Sequence, residues 1–194
     1  GEPPATKGYT PSVFALMPRL FERAGTTERG SITGLYTVLV EGDDLADPVA
    51  DAARGLLDGH IVLSRRLASQ NIYPSIDVLA SKSRVMIEIV SPEHQQAAGE
   101  FISLTAAYEE SADLIQVGAY VRGSDARVDR AIELRPKILD FLRQGIREGV
   151  TYAQTLQALQ GEVLAPVQAP PRPGAGPMAR PAPPGRPPAA ARRG

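Results

Sequence analysis

The chain has no cysteine and no tryptophan among its 194 residues. Without thiols there is no disulfide framework, no cysteine-built zinc site and no thiol chemistry, and the composition fits a reducing compartment. Aromatic residues make up only 5% of the sequence, so a core has to be built from Leu, Ile, Val and Ala. The only two histidines, His60 and His94, fall at the start of an expected strand and in the first turn of an expected helix. Neither has a second His or any Cys beside it, which argues against zinc. No apolar run reaches the roughly 18 residues that a membrane helix needs, and the first residues carry neither a basic region nor an apolar signal core. The opening Gly1-Glu2-Pro3-Pro4 lacks Met and reads as a processed or truncated start. A formal net charge of −1 gives no global argument for nucleic acid as a partner. Ser64 and Ser91 have no His/Asp companions that would support serine hydrolysis.

Proline, by contrast, is abundant, and its excess is local. Ten of the 18 prolines lie between Pro166 and Gly194, with five arginines and no acidic residue. That segment carries about +5, which leaves −6 for the rest of a chain whose total is −1. It cannot bury enough apolar surface to offset its ordering entropy, so residues 161–194 are expected to form a disordered Pro/Arg-rich tail. An electrostatic contact with an acidic partner or anionic lipid and a plain low-complexity extension both remain open for it.

Before the tail, two textures follow one another. Residues 1–90 read as α/β. A helix is expected from Ser12 to before Gly25, with Pro18 inside it, and a strand over Ser31–Val40, whose second half is a continuous apolar, β-branched run. Asp47 and Pro48 open a helix to Leu57, Asp47 as its cap. His60–Leu63, Ile76–Leu79 and Val85–Val90 read as short extended segments. Strand, helix, strand is the pattern of a parallel sheet, and more strands than these are needed to build one. Residues 91–160 read as a small antiparallel helical bundle. One helix starts at Ser91-Pro92 and reaches Ala119, with a break expected near Gly99. A turn follows at Gly123-Ser124-Asp125. Two helices are expected on either side of Pro136, which should break or kink the run, and a short one over Tyr152–Leu159.

The segment Gly1-Glu2-Pro3-Pro4-Ala5-Thr6-Lys7-Gly8-Tyr9-Thr10-Pro11-Ser12-Val13-Phe14-Ala15 resembles the stretch that follows the second nucleotide-binding motif of the flagellar and type III secretion ATPases, homohexameric relatives of the rotary ATP synthase β subunit. The likeness continues through Gly30-Ser31-Ile32-Thr33, Leu39-Val40-Glu41-Gly42-Asp43-Asp44, Leu57–Arg65, Tyr73–Leu79, Ser83-Arg84-Val85-Met86 and Val90–His94. It reaches Gly118-Ala119-Tyr120 and Phe141-Leu142-Arg143-Gln144, and so covers about residues 1–160. Gly118–Ser124 is closer to the flagellar form and Asp77–Ser81 to the secretion form.

This resemblance implies the C-terminal portion of a RecA-like P-loop NTPase sheet domain followed by a helical domain. It implies a cytoplasmic subunit whose hydrolysis of ATP with Mg²⁺ energises protein export, in a homo-hexamer at the inner face of an export gate. Stalk and regulator proteins, secreted substrates and their chaperones are implied as partners, with peripheral membrane association. A non-catalytic helical module that docks chaperones or regulators is the alternative. No Gly-x-x-x-x-Gly-Lys-Ser/Thr pattern occurs, and Thr6-Lys7-Gly8 has neither the glycines nor the strand of a phosphate loop. The chain alone is therefore expected to be inactive, with Mg²⁺ ligands coming mainly from elsewhere.

Four residues carry the implied site. Arg84 matches the arginine that family members project toward the γ-phosphate held by the neighbouring subunit. A guanidinium stays charged and can fork onto two phosphate oxygens, although a solvated arginine at a strand edge reads the same in sequence. Lys82 adds charge nearby or is simply solvated. Tyr73 matches the aromatic that packs on adenine within its own subunit, where a half-buried tyrosine braced by Pro74 is the competing reading. Phe141 and Gln144 are candidates for the second wall of that pocket, and core packing also explains Phe141. Glu41–Asp47 resembles the loop that faces the central stalk. A solvated turn and a metal site remain open for it, and Gly8-Tyr9 is a second channel-loop candidate.

Overall fold

The computed structural model describes residues 1–164. The expected tail therefore lies outside the described residues from 165 onward. The fold begins with a tight turn in which Thr6 bridges Tyr9, with Lys7 (φ 45°) and Gly8 (φ 85°) both in the left-handed region. Helix α1 (Pro11–Phe21) follows and runs on through Pro18. Strands β1 (Gly25–Thr27) and β2 (Gly30–Ile32) form a small antiparallel hairpin.

The long strand expected over Ser31–Val40 is not formed beyond Ile32. Residues 33–40 hold no regular structure, and Leu35 (92% exposed) and Leu39 (89%) face outward. A strand needs a neighbour to bond its main chain, and this run meets none among the described residues. After a 3₁₀ turn at Glu41–Asp43 comes α2 (Pro48–Leu56), which lies against α1. The Asp47 carboxylate accepts from the amides of Val49 (2.9 Å) and Ala50 (3.3 Å) and so caps α2, as its sequence indicated.

The sheet that positions the candidate residues pairs β3 (Gly59–Leu63) with β4 (Ile76–Ser83), with α3 (Arg65–Ser69) between them. This pair is antiparallel, not parallel as the strand–helix–strand pattern suggested. The α/β character holds, as small sheets flanked by helices. The ladder is broken by a bulge between the pairs His60–Lys82 and Val62–Asp77. Asp77 holds that bulge: its carboxylate accepts from the amides of Leu79 and Ala80, both at 3.0 Å. The Ser81 hydroxyl in turn donates to the Asp77 carbonyl at 2.6 Å and accepts from the Val62 amide at 2.9 Å. At Gly59 a Cβ would stand 2.7 Å from the Lys82 carbonyl oxygen, so the close strand approach there requires glycine.

Val85–Val90, expected to be extended, instead contains the helical turn α4 (Met86–Ile89). The Gln95 side chain donates to the carbonyls of Ile87 (3.0 Å) and Val90 (3.2 Å), satisfying main-chain groups that a strand partner would otherwise take.

The helical part is a pair of long helices, α5 (Pro92–Gln116) and α6 (Ala126–Leu142), followed by α7 (Tyr152–Ala158). Helix α5 is unbroken at Gly99, which faces solvent, and α6 is unbroken at Pro136. Proline inside a helix costs about 3 kcal/mol. The α6 face of Val128, Ala131, Leu134 and Ile138 packs on Ala97, Phe101, Leu104 and Ala107 of α5. At about 1.5–3 kcal/mol for each large side chain buried, that continuous face outweighs one lost bond. A π-helical turn, Leu159–Val163, then folds Leu159, Val163 and Leu164 onto the same core. The packed chain thus reaches Leu164, past position 161 where the tail was expected to start. Glu109 joins the two parts, meeting Arg66 of α3 at 3.1 Å and Arg135 of α6 at 3.0 Å, while Arg135 also lies 4.3 Å over the Tyr108 ring.

Candidate functional site

Strand β4 separates the two outer candidates. Tyr73 lies in the loop before it and Arg84 directly after it, and its eight residues span at most about 26 Å at the usual rise. Arg84 is exposed. Its amide continues the ladder to the Asp58 carbonyl at 2.7 Å. Its guanidinium donates to the carbonyls of Arg54 (3.0 Å) and Gly55 (3.3 Å) in the last turn of α2. Those carbonyls have no partner within the helix, and they form the negative end of its dipole. Two of the five guanidinium N–H donors are engaged in this way, and the others have no acceptor among the described residues. Lys82 is also exposed, on the pair opposite His60.

Tyr73 is 52% exposed and precedes a cis peptide bond to Pro74. Its carbonyl accepts from the Gln144 amide at 2.8 Å, so the structure brings Tyr73 and Gln144 together across 71 positions of sequence (144 − 73). Phe141 is half-buried and meets Phe101 edge-on at 5.5 Å. It also lines an open cleft of about 1130 Å³, together with Pro74 and Gln144. Phe141 thus packs on the core through one edge and also faces the cleft. Tyr73 is not itself a wall of this cleft, and is connected to it through its neighbour Pro74 and its bond to Gln144.

Sequence reasoning missed other walls, notably Lys137, Asp140, Gln154 and Thr155. Positions 137, 140 and 141 share one face at helical spacing in the last turns of α6, and that was the available signal for Lys137 and Asp140.

The acidic loop is bound up in ion pairs and a cap. Asp43 meets Arg65 at 3.0 Å, Asp44 pairs with Lys7, and Asp47 caps α2. No group of three or more His, Cys, Asp or Glu is placed to hold a metal ion among the described residues. The Lys7–Asp44 contact ties together the two channel-loop candidates, Gly8-Tyr9, which Lys7 directly precedes, and Glu41–Asp47. The Lys7 ammonium, with help from the Ala46 amide, holds the Asp44 carboxyl below its ordinary value. The Asp44 carboxylate holds Lys7 above its own. The pair's stabilisation is complete between the unfolded-state values of the two groups. It is lost as pH falls through the depressed Asp44 value or rises through the raised Lys7 value. Carboxyl-detected NMR should place the Asp44 midpoint below 3.8, and Lys7→Met should move it upward. A midpoint unaffected by that substitution would remove this tie between the loops.

Comparison with known proteins bears on both parts. The ATP synthase alpha/beta family, nucleotide-binding domain, matches residues 1–83, and the T3SS EscN ATPase C-terminal domain matches residues 90–161. The chain is 58% identical over 157 residues to the flagellum-specific ATP synthase of Pseudomonas aeruginosa, covering 80% of the chain and 35% of that protein. It is 54% identical over 159 residues to the type 3 secretion system ATPase of Xanthomonas euvesicatoria, covering 82% and 36%. The assembled ATPase EscN of the enteropathogenic E. coli type III secretion system superposes with a TM-score of 0.79 at 45% identity, over 82% of this chain and 39% of that one. EscN in complex with its central stalk EscO gives a TM-score of 0.73 at 43% identity, over 82% and 38%. The chain spans about a third of the length of the curated relatives it matches.

Proposed function

Because the chain belongs to the flagellar and type III secretion ATPase family, we propose that it forms part of an ATP-hydrolysing subunit that energises protein export through a flagellar or type III secretion apparatus. The observation that carries this reading is the placement of an exposed tyrosine and an exposed arginine at opposite ends of β4. In this reading the two ends of the strand would serve two different nucleotides. Tyr73 would face the adenine held by its own subunit, and Arg84 would reach the terminal phosphate held by the next. Each nucleotide is then shared by two copies, which requires a closed ring and suits a homo-hexamer.

The residues fit a nucleotide in part. An exposed phenol ring beside a cleft walled by Phe141 and Gln144 suits a purine, and uncommitted guanidinium donors suit a phosphate. ATP, when bound, supplies the phosphoryl group whose transfer to water is the reaction. Arg84 would then neutralise charge on the transferring group while Tyr73 and Phe141 exclude water from the base. Mg²⁺ does not fit the described residues, because Asp43, Asp44 and Asp47 are already committed, and no ligand for it is assigned to this chain.

Within this reading, residues 1–90 complete the nucleotide-binding domain and 91–160 form the helical domain. The Glu41–Asp47 loop would face a central stalk, as befits a cytoplasmic ring at the inner face of an export gate. Exported proteins, their chaperones and regulators would be its other partners. Any contact with a membrane would be peripheral in this reading; among the described residues no helix is long and apolar enough to cross one.

Tyr73 gives the direct test. In a full-length ring, Tyr73→Ala should weaken adenine-nucleotide binding about tenfold, and Tyr73→Phe should retain it, because stacking needs the ring and not the hydroxyl. Fluorescent nucleotide titration reads both. Equal affinity in Tyr73→Ala would dismiss the adenine wall.

A further inference from the structure

The guanidinium of Arg84 and the acidic loop at Glu41–Asp47 are held by the two ends of one short helix. At the far end, Arg84 donates to the carbonyls of Arg54 and Gly55. At the near end, the Asp47 carboxylate, 8% exposed, takes the first free amides of α2. The Arg54 side chain closes the circuit. It runs back along α2 and donates to the Leu45 carbonyl in the acidic loop at 3.1 Å, while its own carbonyl takes Arg84. Nine helical residues span about 13.5 Å, so loop and guanidinium lie within one rigid rod of each other.

We propose that Asp47 and Arg54 are positioning residues for Arg84, acting through α2, so that whatever presses on the acidic loop re-aims the guanidinium. The proposal rests on the role given to Arg84 above and adds its regulation. The physical reason is that last-turn carbonyls are fixed acceptors only while the helix is wound. If the cap is lost or the loop is drawn away, the carbonyls of residues 54 and 55 fray, and Arg84 loses its anchors. Coupling through such a rod is reciprocal, so freeing Arg84 also loosens the start of α2.

The test needs no nucleotide, so it fails or succeeds independently of the catalytic reading. In the 194-residue chain, NMR of the arginine guanidinium groups reports whether rotation of Arg84 is hindered. Asp47→Ala should merge its separate Nη signals and speed amide exchange at Ala53 and Leu57 about fivefold. Asp47→Asn, which can still cap, should restore both. Arg54→Ala keeps the Asp47 cap but cuts the tie from the last turn of α2 to the Leu45 carbonyl, so it should fray only that turn and free Arg84, which covers the case in which Asp47→Ala fails to fold. Asp125→Ala removes the equivalent cap from the distant helix α6 and should leave the Arg84 signal unchanged. An Arg84 signal indifferent to both Asp47→Ala and Arg54→Ala overturns the proposal. So does a signal that responds equally to Asp125→Ala.

Discussion

Replacing Arg84 by Ala in a full-length assembled ring is expected to lower steady-state ATP turnover about a thousandfold or more, with the ring still formed. Arginines that meet the charge developing on a transferring phosphoryl group contribute about 10³–10⁵ in rate. Arg84 is exposed and its bonds in the isolated chain go only to main-chain carbonyls, which water can satisfy in its absence. Removal therefore opens no cavity and strands no buried charge, so stability should change by less than about 1 kcal/mol. Arg84→Lys should recover little, because an ammonium cannot fork onto two oxygens. A steady-state assay paired with light scattering on the same preparations separates the outcomes. Lost assembly with normal turnover per ring would assign Arg84 to the interface and not to the chemistry.

The largest effect on stability is expected at the centre of the bundle. Leu134 is 1% exposed and sits midway along the α6 face that meets α5. Leu134→Ala removes buried methyl groups and leaves a void that two long helices cannot close, at a cost of about 2–5 kcal/mol. Ile102→Ala lies on the other side of α5, at a position 39% exposed, and should cost below about 1 kcal/mol. Urea denaturation followed by far-UV circular dichroism compares them. Similar midpoints for the two variants would mean that the α5–α6 seam is not the stabilising core.

The features legible in the sequence were those whose cause is local. Asp47 and Ser91 each stand one residue before a helix and accept from its first free amides, a signature of a few adjacent residues, and Asp125, read only as part of a turn, caps α6 in the same way. Features set by distant partners were misread. The apolar run at Leu35–Leu39 looks like a buried strand, yet strand formation depends on neighbours that local pattern does not contain. Pro136 looks like a break, but its cost is offset by contacts with α5 some 30 to 40 positions earlier. The bulge at Asp77–Ser81 arises from one carboxylate and one hydroxyl turned onto their own main chain, which nothing in the β-branched pattern announces. At the site, the family resemblance pointed to Tyr73 and Arg84. Only the coordinates place Gln144 on the Tyr73 carbonyl and the Arg84 guanidinium on the end of α2.

Glu109 has a mechanical consequence. One carboxylate serves as counter-ion to arginines from α3 and α6. The loop bearing Tyr73 follows α3, and Gln144, bonded to that loop, follows α6. The Tyr73 loop and the end of α6 are thus tied to the same pin, while the third side of the cleft, residues 148–163, lies outside that tie. Widening the gap by rotation within this region would break two charged contacts at once. Those two walls are therefore expected to shift together, and widening the cleft falls to its third side, residues 148–163.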